Sequence, residues 1–162
     1  MTTLLLTLLL AIPFPGTSRT SWMRPQSFRL IVGMPRGDAL HELEASGWKT
    51  KPTKDPNQFV VEYGDDKAVT LEFHRERLRS LRFELFTFLP EARKAFDEET
   101  RFLRNTLGDP RSTKSKSIVL YDHTLPNIMV VVADDPHSDN GRKGLGILVV
   151  RYFDPVAVGG TK

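Results

Sequence analysis

QFVVEYGDDKAVTLEFHRERLRSLRFELF, residues 58–86, decides the fold. Apolar and polar residues alternate along it. Phe59, Val61 and Tyr63, then Val69, Leu71 and Phe73, then Leu81, Phe83 and Leu85 share one phase. Glu62, Thr70, Glu72, His74, Arg82 and Glu84 take the other. A period of two is that of a strand, so the stretch reads as three strands with one face in a core and one in water. The polar interruptions Gly64-Asp65-Asp66 and Arg75-Glu76-Arg77 are short enough for tight antiparallel turns, and Gly64 supplies the positive φ that such turns use.

Working outward, residues 27–32 alternate Phe28, Leu30 and Val32 with Arg29 and Ile31, which predicts a short strand running into Gly33-Met34-Pro35. A helix is expected next, with Pro35 at its start, Asp38 in its first turn, Ala39, Leu40 and Leu43 as its apolar stripe and Gly47 at its end. Residues 48–51 read as a short strand and 52–57 as a turn. Beyond the meander, residues 90–107 form the clearest helix, with Ala92, Ala95, Phe96, Leu103 and Leu107 on one stripe, Asp97 and Arg101 on the solvent side, and Gly108 closing it. Strands are expected at 117–121, 127–133 and 145–153.

The chain after Gly47 therefore resembles the chain after Gly108. The reading is an α+β fold of two α-β-β-β repeats, an antiparallel sheet with helices packed on one face. The expected divisions are a leader at 1–25, repeats at 26–88 and 89–155, and a tail at 156–162. The last strands are apolar on both phases, with Met129 and Val131 opposing Ile128, Val130 and Val132. Cover of the second face from within, by the region around 28–32 or by the tail, is favoured over an exposed apolar patch.

Composition narrows the function classes. The chain has 162 residues, 40% of them apolar, enough for a well-buried core. Its formal charge of +3 resides in Arg19, Arg24 and Arg29, since the first 35 residues hold no acid and the remainder is neutral. A duplex-binding domain would instead carry a clustered basic surface, so nucleic acid is not the expected partner. The absence of cysteine removes disulfides, thiolate zinc sites and a cysteine nucleophile. LLLTLLLAI, residues 4–12, is too short to span a bilayer and ends at Pro13 and Pro15. With Gly16-Thr17-Ser18 behind it, it reads as a secretory signal peptide, although no Lys or Arg precedes it. The expected location is periplasmic or secreted, or cytoplasmic if translation starts at Met23.

No chemical motif stands out. Asp134, Asp135, His137 and Asp139 offer hard ligands with one imidazole. The glycine and glutamate of a calcium loop fall in neither register, and these are also ordinary hairpin-loop residues. Gly141, Gly144 and Gly146 precede a strand, whereas phosphate loops precede a helix. His74 and His123 beside Asp122 permit an acid–base pair but sit at outward or turn positions, and no nucleophile elbow, zinc-protease helix or Walker loop is present. No catalytic, cofactor-binding or metal-ligating residue is assigned, and no cofactor is expected.

FRLIVGMPRGDALHELEASGW, residues 28–48, resembles the strand, Gly-Met, helix and glycine-ended turn that open the SmpA/OmlA outer-membrane assembly lipoprotein domain. The tandem arrangement resembles that of the β-lactamase inhibitory protein. The lipoproteins carry a cysteine after the signal sequence, and this chain has none. The resemblance implies a cell-envelope or secreted module acting through protein contacts and supplies no catalytic residue. The expectation is a non-enzymatic module for binding another protein or for envelope assembly. A small-ligand or lipid carrier with a pocket between helices and sheet, and an enzyme with a dispersed site, are the alternatives. A deep apolar cavity under the second helix would favour the carrier, a flat aromatic outer sheet protein binding, and converging His and carboxylate groups an enzyme.

Overall fold

The computed structural model describes residues 19–115, 117–121, 126–134 and 144–155, without the side chains of Glu62 and of residues 113–115. Helix α1 (Arg36–Ala45) is followed by strands β1 (Thr50–Pro52), β2 (Gln58–Glu62), β3 (Lys67–His74) and β4 (Arg77–Phe88). Helix α2 (Leu89–Leu107) is followed by β5 (Ser112–Ser115), β6 (Ile118–Tyr121), β7 (Asn127–Asp134) and β8 (Leu145–Phe153). All eight strands form one antiparallel sheet in the order β1-β2-β3-β4-β8-β7-β6-β5. The class is α+β.

The meander has the register its alternation predicts. Val61 faces Val69, which faces Phe83; Phe59 faces Leu71, which faces Leu81. These rows continue across the β4–β8 pair, where Phe83 meets Val150 and Leu81 meets Tyr152, and then to Val130 and Ile128. Val69, Leu71, Leu81, Phe83, Val130, Leu148 and Val150 are completely buried. Gly64 takes its turn with φ 84°, whereas the second turn puts Arg75 and Glu76, neither of them glycine, at φ 49° and 57°. That left-handed pair is anchored from outside, because the amide of Arg36 donates to the Glu76 carbonyl at 2.8 Å.

Helix α2 turns Ala92, Ala95, Phe96 and Leu103 onto β4, β7 and β8. Its first turn comes so close to β8 that a side chain at Gly146 would collide with the Leu89 backbone, its Cβ falling 2.8 Å from Leu89 Cα. Helix α1 is shorter and buries only Ala39 and Leu43. Gly47, at φ 80°, ends it as expected, with the Trp48 amide returning to the Leu43 carbonyl at 2.9 Å.

The amino-terminal region departs from expectation. Residues 27–32 form no strand: Pro25–Phe28 is a 3₁₀ turn, Arg29 is left-handed at φ 55°, and the chain then crosses the core. The alternation was a true burial signal, with Phe28 and Leu30 inside and Ile31 outside. The pairing is made further on, where Gly33 and Met34 exchange backbone bonds with Leu78. Nor does the fold begin after residue 25. Thr20 and Met23 are wholly buried, Trp22 and Arg24 nearly so. A short α1 leaves the β2–β4 half of the sheet undercovered, and aromatic rings fill the space. Trp22 stacks on Tyr63 at 5.1 Å, Phe28 tilts against Trp48 at 5.2 Å, and both Trp22 and Phe28 reach Phe83.

Candidate functional site

The same strands that bury one phase under the helices present the other on a face that, among the described residues, no helix covers. Rows across it are set by the register. Thr70, Arg82, Arg151, Met129 and Leu120 form one; Glu72, Ser80, Phe153 and Asn127 a second; Glu84, Val149, Val131 and Ile118 a third. Phe86, Ile147 and Ala133 lie beyond. The expected cover by the region around 28–32 does not exist, because Phe28 packs against Phe83 on the helix side. The tail at 156–162 lies outside the described residues. Ile118, Leu120, Met129, Val131, Ile147, Val149 and Phe153 are half-buried, each flanked by its neighbours in the sheet. This half of the face is largely aliphatic, with Phe153 its aromatic member.

The β3–β4 half of the face is ionic. Arg151 donates from Nε to Ser80 Oγ and from Nη2 to Glu72, both at 2.8 Å, and lies 5.5 Å from the Phe153 ring. Arg82 stands directly opposite it across the central strand pair. Its companion is Glu84, two residues along the same strand, 3.3 Å away but without a hydrogen bond to the buried Arg82 Nε. Burial pushes the Glu84 carboxyl up, and Arg82 offsets this only in part.

A second ionic group is closed to solvent. Glu99, on the buried stripe of α2, accepts from Arg24 at 3.3 Å, with Thr20 beside it. The Arg24 guanidinium lies 3.6 Å over the Phe102 ring. Burial raises the Glu99 carboxyl despite the attraction of Arg24 and the hydroxyl, and burial likewise raises the nearby Tyr152 phenol. This pair clamps the amino-terminal segment to α2. Being sealed, it offers no substrate access.

Between α2 and β6 lies an open groove of ≈ 360 Å³ lined by Phe96, Asp97, Thr100, Arg101, Arg104, Val119 and Tyr121. Tyr121 spends its hydroxyl on the Thr100 carbonyl at 3.0 Å. Three charged residues at an open mouth differ from the deep apolar cavity a carrier needs.

The residues weighed as chemistry do not converge. His74 is exposed at the end of β3, and Asp134 is exposed at the end of β7. Asp135, His137, Asp139, Asp122, His123 and Gly141 lie outside the described residues. Among the described residues, no three His, Cys, Asp or Glu side chains gather as metal ligands, and no helix is long and apolar enough to cross a membrane. Comparison of the chain with protein-family models, curated proteins and solved structures finds no match. Sequence reasoning missed Arg151 because its importance depends on the β4–β8 register, which no local pattern encodes. Glu99 was missed as well, although a signal for it existed: it is four residues from both Ala95 and Leu103, inside the stripe.

Proposed function

We propose that the chain is a non-enzymatic, exported module that binds another protein through the helix-free face of its sheet. The observation carrying this reading is the aliphatic surface of β6, β7 and β8, which is half-buried within the sheet and, among the described residues, left without a helix. Such a surface, bordered by charged residues, has the make-up of a recognition patch. A sheet face suits a macromolecule better than a small ligand, which is held in a concavity. The reading extends to a duplicated unit of one helix and four strands, one strand more than the expected α-β-β-β, because each helix precedes four strands and the sheet order mirrors itself about β4 and β8. Export rests on the apolar run at 4–12 and the small residues behind it. A start at Met23 fits less well, since it would delete Thr20 and Trp22 from the core.

The test is capture from a periplasmic or secreted fraction with three baits: the wild type, Val131→Gln on the patch, and Asp97→Ala on the far side of the molecule. A partner retained by the wild type and Asp97→Ala but lost with Val131→Gln is expected. Equal retention by all three, or none by any, overturns the reading.

A further inference from the structure

Resting on that reading, we propose that the partner's contact segment is acidic and apolar: a carboxylate received by Arg82, flanked by aliphatic side chains that lie on Met129, Val131 and Val149. Arg82 and Arg151 are directly opposed on the two central strands. Their Cβ atoms are then about 4.5–5.5 Å apart, a spacing at which like charges destabilise a sheet. Two arginines in such a place need two counter-charges, and they are served unequally. Arg151 is satisfied by Ser80, Glu72 and the Phe153 ring. Arg82 makes no hydrogen bond among the described residues. Its side chain is 38% exposed, and its ion-pair partner, Glu84, lies outside hydrogen-bonding geometry.

The guanidinium is a planar fork suited to a carboxylate held by two parallel bonds. Glu84 is a poor substitute for an incoming carboxylate. It is tethered to the same strand, and its own charge is disfavoured by burial. An arriving carboxylate would relieve the Arg82–Arg151 repulsion as well as use the idle donors. The aliphatic patch begins beside it. Val149 is the cross-strand neighbour of Glu84, and Met129 that of Arg151. With strands about 4.8 Å apart, Met129 lies about 10 Å from Arg82, a span that an extended or helical segment covers within a few residues. Nucleic acid is the weaker fit, since Glu72 and Glu84 border the same arginines and would repel a run of phosphates.

The experiment uses the full chain and three synthetic peptides sharing one Leu/Val/Ala-rich scaffold and carrying paired glutamates, glutamines or lysines. Binding is followed by fluorescence anisotropy at low and physiological salt. The glutamate peptide should bind about ten-fold or more tightly than the glutamine peptide, and the lysine peptide most weakly. Arg82→Gln, with unchanged melting temperature, should erase the glutamate preference, and Arg82→Glu should reverse it. Val131→Gln should weaken all three peptides together. Equal binding of the glutamate and glutamine peptides, with Val131→Gln still weakening both, overturns the carboxylate inference and leaves the face as a protein-binding surface. Binding untouched by Val131→Gln, or no peptide binding, overturns both. Displacement of the glutamate peptide by an oligothymidylate of equal charge would show general polyanion attraction and also overturns the inference.

Discussion

The two faces of the sheet are made from the same strands, alternating residue by residue, yet they solve opposite problems. Beneath the helices, Val69, Leu71, Phe83, Val130, Leu148 and Val150 are sealed from water. On the other face, Glu72, Arg82, Glu84 and Arg151 form an ionic half, and Met129, Val131, Ile147 and Val149 an aliphatic half. Stability resides in the first face, and the proposed selectivity for a partner is assigned to the second. The difference can be broken by mutation, since truncations on the covered face should unfold the protein while those on the open face should leave it folded.

The largest effects are expected where α2 meets the sheet. Phe96→Ala should cost about 3–5 kcal/mol and Leu103→Ala about 2–5 kcal/mol, the range for emptying a packed core. Both side chains lie on the buried stripe of α2, and chemical denaturation would measure the losses. Near-normal stability of either variant would mean that the covered face is not the structural one.

Comparable in size is the Arg24–Glu99 clamp. Arg24→Ala should cost about 3–5 kcal/mol because it leaves the buried Glu99 carboxyl without its ion-pair partner. Arg24→Met combined with Glu99→Leu should recover most of this, since an apolar pair of similar volume removes both desolvation penalties. The clamp also has a pH signature. Burial raises the Glu99 carboxyl above its usual 4.5, so protons bind the folded state more tightly than the unfolded chain. Its contribution to stability is therefore greatest below the ordinary carboxyl range and falls as pH rises through the raised value. The stability of wild type minus that of Glu99→Gln should grow as pH is lowered from neutrality to 4.5. Arg24, Thr20, Tyr152 and Tyr121 face the group, and burial pushes both phenols above their ordinary alkaline range, well outside that interval. A difference that shrinks on acidification would show Arg24 outweighing desolvation.

How much of this was legible in sequence differs between the faces. The covered face was, because a period of two in residues 58–86 and a helical stripe in 90–107 each name their own buried side chains. The amino-terminal segment was not. Phe28 and Leu30 alternate like a strand, but Pro25 opens a 3₁₀ turn and the backbone finds Leu78 only at Gly33 and Met34. Trp22 and Met23 looked like leader because a single pass through a core has no period to betray it. The open face was half legible. The double phase of β7 and β8 named the aliphatic side chains but was read as favouring cover from within the chain, whereas the opposition of Arg82 and Arg151 exists only once distant strands pair in register.

Smaller effects belong to the open face. Val131→Gln should cost about 1 kcal/mol or less, the span of strand propensity at a half-buried site, and shift the melting temperature by about 2–4 °C at most. Its effect on partner binding should be far larger than that. Arg151→Met, which removes the bonds to Glu72 and Ser80, should also stay near or below about 1 kcal/mol, because the pair is roughly a quarter exposed and is partly screened. A loss of several kcal/mol at either position would place the open face inside the structural core.

The smallest effect is expected at Asp97. It stands on the solvent side of α2, one residue past Phe96, and the helical spacing that brings it near Arg101 permits an ion pair which the described residues do not make. An exposed helical pair of this kind is worth about 0.3–0.5 kcal/mol even when formed. Asp97→Ala should thus melt within about 1 °C of the wild type and keep its partner. Because Asp97 and Phe96 are adjacent in sequence, the pair tests the assignment of faces with nothing else changed: one should be severe, the other silent. Asp97 also lines the groove shared with Arg101, Arg104 and Tyr121. If Asp97→Ala keeps its melting temperature yet loses the partner, the groove is the recognition site, and the open face of the sheet loses its claim to that role.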